Sequence, residues 1–247
     1  MVAECWSGAL EDGPSGAVCV SVPLPRTPEP ELMNDRQQAQ AYAAADFSSG
    51  DQAFIDRLQL LFPEGMGELL IDLGCGPGNI SFRLARSYPA ARVLAVDGAT
   101  AMLDLARERL ERERMLQADL AERLRFVEAV LPDPALTCGA SAVLSNSLLH
   151  HLHDPQVLWH SLQHLGAPGA AIYVKDLRRP GSLADAETLR ARYLAEAPAV
   201  LQRDYLASLQ AAFTPEEVAD QLSAAGLGCL QVAALEDRYL EVWGRLG

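Results

Sequence analysis

The sequence predicts an α/β fold in which a mostly parallel sheet is covered by helices on both faces. Three observations predict it. Short apolar runs of strand length alternate with helix-period segments, a glycine-rich turn joins the first such strand to its helix, and two strand-like segments close the chain. Alternation of this kind is how βαβ units read, because each parallel strand needs a crossover to bring the chain back to the same edge.

Residues 1–32 are dense in Pro, Gly, Ser and acidic side chains and read as a flexible tail ahead of a domain spanning 33–247. From Asn34 to Phe62 the pattern is helical. Asn34 is the candidate cap, and a break at Ser48-Ser49-Gly50 precedes an apolar stripe of Phe54, Ile55, Leu58, Leu60 and Leu61. Pro63 ends it. Leu69 to Leu73 is a short strand, Ile80 to Ser87 a helix, Arg92 to Val96 a strand and Ala99 to Arg114 a helix. Leu124 to Val127 and Ser141 to Ser145 are further strands, followed by helix Pro155 to Leu165 and strand Ala170 to Asp176. Ser182 to Phe213 reads as a long helical insertion, and Thr214-Pro215-Glu216-Glu217 opens a helix with a capping Thr and a proline at its first position. Leu227 to Leu235 and Arg238 to Trp243 are closing strands joined by a turn at Glu236-Asp237.

Composition narrows the function. The chain has 247 residues, 49% of them hydrophobic, enough for one large core. No apolar run approaches the roughly 20 residues of a membrane-spanning helix, so the reading is a soluble protein with no membrane partner. A formal charge of −13 disfavours a nucleic-acid backbone and suits a small molecule. Lys175 is the only lysine, which is read as composition without functional meaning. The five cysteines are scattered, without zinc spacing, and the first ten residues lack a secretory pattern; both favour a reducing cytoplasm.

The chemistry concentrates at Asp72-Leu73-Gly74-Cys75-Gly76-Pro77-Gly78. A strand running into this loop and then a helix sets a bare backbone turn at the carboxyl edge of the sheet, where ligands bind in doubly wound folds. Glycine permits positive φ and close ligand approach. A dinucleotide loop reads G-x-G-x-x-G, but Asn79 stands where its third glycine would be. Asp72 would repel a pyrophosphate and attract a cation such as the methionine portion of S-adenosylmethionine. The next strand ends in Asp97, about 20 residues on, where a carboxylate can accept both hydroxyl protons of a ribose.

Ile71-Asp-Leu-Gly-Cys-Gly-Pro-Gly78, the strand ending at Asp97, Ser145-Asn-Ser-Leu-Leu-His-His-Leu-His-Asp-Pro155 and Gly166-Ala-Pro-Gly-Ala170 together resemble the class I S-adenosylmethionine-dependent methyltransferases. The resemblance runs from about Asn34 to the end. It implies a Rossmann-like sheet of seven strands with the last antiparallel, helical lid elements, and transfer of a methyl group from S-adenosyl-L-methionine to a small-molecule acceptor by in-line displacement. It also implies that Gly74, Cys75, Gly76, Pro77 and Gly78 pass under the methionine and ribose, that Gly98 and Met102 border the adenine, and that Asn146 and Ser147 face the reacting centre. Many relatives carry an acidic residue after the third strand; the register here puts Ala129 there, so backbone groups of Ala129 and Val130 would meet the adenine. His151 corresponds to a position that often faces the acceptor and is the candidate catalytic base.

Tyr42, His150, Arg190 and Tyr193 are the candidate acceptor contacts, Tyr42 from the first helix and the last two from the insertion. No metal is expected. Consecutive histidines on a helix point about 100° apart, and His150 with His153, three apart on one face, lacks a further ligand. Two other functions remain: an NAD-linked oxidoreductase, disfavoured by Asn79, and a non-catalytic S-adenosylmethionine-binding protein, towards which Ala129 leans.

Overall fold

A computed structural model describes residues 24–247. Seven strands, β1 (Leu69–Leu73), β2 (Arg92–Asp97), β3 (Leu124–Glu128), β4 (Ala140–Asn146), β5 (Gly166–Leu177), β6 (Gln231–Leu235) and β7 (Tyr239–Arg245), form one sheet in the order β3-β2-β1-β4-β5-β7-β6. β1 to β5 are parallel, and β7 runs antiparallel to both its neighbours. The order reverses between β1 and β4, which opens a crevice at their carboxyl ends.

Nine α-helices of the described residues accompany it: α1 (Arg36–Ala44), α2 (Ser48–Leu61), α3 (Asn79–Ser87), α4 (Thr100–Arg114), α5 (Ala118–Arg123), α6 (Gln156–Leu165), α7 (Leu183–Leu194), α8 (Ala199–Ala211) and α9 (Pro215–Ala224). Strand side chains alternate between faces, and both faces are apolar, as a doubly covered sheet requires. Phe54, Leu58, Phe82, Leu103 and Tyr173 share one cluster. Trp159, Leu162, Val143, Ile172 and Val218 share the other. Each such side chain contributes about 1.5–3 kcal/mol by leaving water. No described helix is long and apolar enough to cross a membrane.

Several local expectations are corrected. Asp35, not Asn34, caps α1 by accepting from the Gln38 N–H. The break falls at 45–47, one turn before the expected serines, because the Asp46 carboxylate accepts the Ser48 N–H and starts α2 there. The insertion is two helices, interrupted by Ala195 to Pro198. α5 has no counterpart among the expected elements, and β6 begins only at Gln231. Thr214 and Glu217 form the reciprocal cap that opens α9.

The expected tail extends too far. Residues 24–32 cross the carboxyl edge as a strap, while 1–23 lie outside the described residues. The Thr27 N–H donates to the Gln210 carbonyl at 3.0 Å. Arg26 donates to the carbonyls of Ala211 (2.6 Å), Leu152 (2.9 Å) and His150 (3.2 Å), and its guanidinium lies 4.0 Å from the Phe213 ring centre. These carbonyls end α8 and the histidine turn, where the helical ladder leaves acceptors without partners, and one guanidinium has donors for all three.

Candidate active site

β1 leaves the sheet at Leu73 and turns back through three glycines in left-handed conformation, Gly74 (φ 71°), Gly76 (52°) and Gly78 (85°). The Val96 carbonyl at the end of β2 accepts both the Gly74 and Cys75 N–H groups, at 2.8 and 3.0 Å, pinning the turn to the neighbouring strand. The three glycines are not equivalent. A Cβ on Gly74 would stand 2.8 Å from the Leu148 side chain, and one on Gly78 2.8 Å from Phe126. A Cβ on Gly76 meets no atom within 4 Å. Gly74 and Gly78 therefore serve packing, whereas the backbone of Gly76 faces open space. Gly78→Ala is expected to lower the melting temperature strongly. Gly76→Ala carries only the strain of a left-handed alanine, about 1–2 kcal/mol, yet is expected to weaken cofactor binding more than tenfold. Thermal melts beside calorimetric titrations separate the two effects. Cys75 and Pro77 are buried within the loop, and burial pushes the Cys75 thiol well above its ordinary pKa, so neither offers side-chain chemistry.

Asp97 ties the loop to the next crossover. One carboxylate oxygen accepts the Gly76 N–H and the other the Ala99 N–H, each at 2.7 Å. A carboxylate oxygen has two acceptor directions, so each oxygen can take a further donor besides its backbone partner. Asp72 is fully buried below the loop and accepts from Ser81 Oγ at 2.5 Å. Burial raises its pKa to about 7, against the Ser81 hydrogen bond, with the Asp97 and Asp51 carboxylates adding to the rise. A buried, easily protonated carboxyl is set to gain from a cation arriving above it.

At the adenine end, Gly98 is flanked by Leu32 of the strap and by Val130; a Cβ there would meet them at 2.9 and 3.1 Å. Met102 is buried with Ala39, Ala99, Met33 and Tyr42. The Ala129 N–H is already donated to the Asp97 carbonyl at 3.0 Å. This leaves the Ala129 carbonyl and the Val130 N–H as the backbone groups of the expected pair.

β4 ends at Asn146, and Ser147 follows with φ 60°, a strained conformation for a side chain with Cβ, held by its N–H on the Lys175 carbonyl at 2.8 Å. The histidines then lie in a single 3₁₀ turn, Leu149 to His151, not an α-helix. Their rings stack 4.3 Å apart between centres, so the angular argument against a shared site fails. His150 Nδ1 lies 2.5 Å from Asp176, whose other oxygen accepts the Leu149 N–H at 2.7 Å. His151 faces Glu29 of the strap, and burial, then His150, lowers its pKa to about 3. It is a poor proton acceptor at neutral pH, which weighs against the expected base role. His153 is exposed and meets the strap at the Glu29 carbonyl.

Tyr42 meets Phe47 with ring centres 4.8 Å apart and packs beside Ala39, Ala99 and Met102. Lys175 is buried, its ammonium 4.1 Å from the Tyr239 ring centre, with no carboxylate within salt-bridge distance among the described residues. Arg190 and Tyr193 go elsewhere. Arg190 bonds Glu187 and Gln202, and the Tyr193 hydroxyl donates to Asp237 at 2.7 Å, tying α7 to the β6–β7 turn. These intramolecular partners correct their assignment to the acceptor. Glu29, Leu32 and Asp176 were missed by sequence reasoning because their partners are distant in the chain. Lys175 carried a signal, being the only lysine, that was read as composition.

Residues 70–169 match the family model of a methyltransferase domain. Trans-aconitate 2-methyltransferase of Methylobacterium radiotolerans is 36% identical over 117 residues, 47% of this chain and 40% of the relative. That of Variovorax paradoxus is 48% identical over 106 residues, 43% and 37%. The matches thus span less than half the length of these relatives. A methyltransferase from Aquifex aeolicus shares the fold at TM-score 0.56 and 16% identity, over 85% of this chain and 98% of that one. The plantazolicin methyltransferase BpumL, solved with a substrate analogue and S-adenosylhomocysteine, does so at 0.64 and 13%, over 85% and 90%. Domain match, sheet order and glycine loop agree on a methyltransferase domain over residues 70–169.

Proposed function

We propose that this chain transfers the methyl group of S-adenosylmethionine to a carboxylate oxygen of a small acid, in the cytoplasm and without a nucleic-acid partner. The cofactor, when bound, supplies an electrophilic methyl on a sulfonium. Gly76 offers it bare backbone, Asp97 holds the ribose hydroxyls, Asp72 complements the positive charge, and Asn146 and Ser147 border the transferring end. Alignment of the acceptor against the methyl supplies most of the rate, up to about 7–11 kcal/mol. Water is kept out by the strap and by Tyr42.

The observation that favours an anionic acceptor is Lys175. Burial lowers its pKa against the opposing pull of Glu236, Asp51 and Glu241, and its ammonium lies over the face of Tyr239. An acceptor carboxylate there meets a cation already stripped of water, and an ion pair formed with it is worth about 1.5–3 kcal/mol. The relatives named for trans-aconitate agree with this reading. A carboxylate is ionised at neutral pH, so no base is required, and the depressed His151 presents no obstacle.

Incubation with S-adenosylmethionine and a panel of di- and tricarboxylates, phenols and amines, read by mass spectrometry, tests the proposal. A methyl ester of a carboxylate such as trans-aconitate is expected; product from amines or phenols alone would refute it. Lys175→Met is expected to raise KM for the acid about 10- to 150-fold and to leave the cofactor dissociation constant unchanged. An unaltered KM would remove Lys175 from acceptor binding.

A further inference from the structure

We propose that Glu29, His150 and His151 bind a divalent transition-metal ion at the carboxyl edge of the sheet. Glu29 Oε1 lies 3.2 Å from His151 Nδ1 and 3.5 Å from His150 Nε2, and the three donor atoms all fall within 4.8 Å of one another. Donors about 2.0–2.2 Å from a tetrahedral ion stand about 3.3–3.6 Å apart, close to the two distances from Glu29 Oε1. These contacts are not hydrogen bonds. His151 Nδ1 is buried and has no hydrogen-bond partner. His150 uses Nδ1 on Asp176, which turns its Nε2 towards Glu29.

Three candidate donor atoms therefore converge on one point that a cation can occupy. Two of the ligands are also held from behind: His150 by Asp176, and Glu29 by Ser208 Oγ, which donates at 3.0 Å. Carboxylate and carbonyl partners behind ligating histidines are the usual means of fixing tautomer and orientation. Two imidazoles and one carboxylate suit zinc or cobalt better than magnesium or calcium, and three protein ligands leave a coordination position open to water or an acceptor oxygen. Because Glu29 belongs to the strap, the ion would also fasten residues 24–32 over the edge.

Cobalt(II) added to the full chain after chelator treatment is the direct test, with zinc followed by calorimetry. Visible bands of tetrahedral cobalt and one zinc per chain are expected. Glu29→Gln, which preserves shape on a half-buried strap, and His151→Gln are each expected to weaken zinc at least tenfold. The double variant Cys138→Ser with Cys229→Ser, which removes two exposed thiols, is expected to retain binding. The site is overturned by the absence of both signals at millimolar metal. It is equally overturned by binding that survives Glu29→Gln and His151→Gln but vanishes with the two thiols.

Discussion

Asp97→Ala is expected to lower cofactor affinity by two to three orders of magnitude while the chain still folds. Two losses combine. The two ribose hydroxyls lose charged acceptors, each worth about 1.5–3 kcal/mol. The loop also loses its clasp, since the same carboxylate accepts from Gly76 and Ala99 at 2.7 Å each. Asp97→Asn is expected to fall between, because its one amide oxygen can serve one loop N–H and one hydroxyl. Calorimetric titration with S-adenosylmethionine ranks the three proteins. Equal affinity for wild type and Asp97→Ala would remove Asp97 from the site.

Asp72→Asn is expected to move stability and binding in opposite directions. Burial lifts this carboxyl from the ordinary 3.8 to about 7. A carboxyl with a raised folded pKa binds its proton more tightly folded than unfolded. Stability is therefore fully present below pH 3.8 and is lost as pH rises to about 7. The full loss is at most about 4 kcal/mol, at about 1.36 kcal/mol per pH unit. Asparagine avoids it and still accepts from Ser81. Its melting temperature at pH 8 is expected to rise by several degrees, with little change at pH 3.5, at about 2–4 °C per kcal/mol for a chain of this size. Cofactor affinity is expected to fall at least tenfold, because the cation loses its buried counter-charge. In the wild type, affinity is expected to weaken as pH drops below about 7 and Asp72 protonates. A variant no more stable at pH 8 would contradict the burial argument.

Most of what positions the site is legible in short stretches of sequence. Leu69 to Leu73 is an apolar strand ending on an aspartate, the three glycines demand positive φ, and Thr214 with Glu217 signals a helix start from four consecutive residues. Such features depend on neighbours within one turn or one strand. The strap does not. Arg26 finds its acceptors 124 to 185 residues away, so a Pro-rich segment that buries little by itself reads as a tail. The pair His150-His151 reads as helical in sequence, whereas Ser147 in a left-handed conformation and the Asp176 carboxylate on Leu149 accompany a tighter turn. Register hid the use of the Ala129 N–H by Asp97, and Lys175 is visible in sequence but its burial beside Tyr239 is not.

The central claim is that S-adenosylmethionine lies on the glycine loop at Gly76. Titration of the cofactor into the wild type and into Gly76→Ala, with folding of both checked by thermal melts, tests it most directly. One cofactor per wild-type chain is expected, with affinity reduced more than tenfold in a variant that remains folded. No binding to the wild type at millimolar cofactor, or equal binding to both proteins, would contradict it.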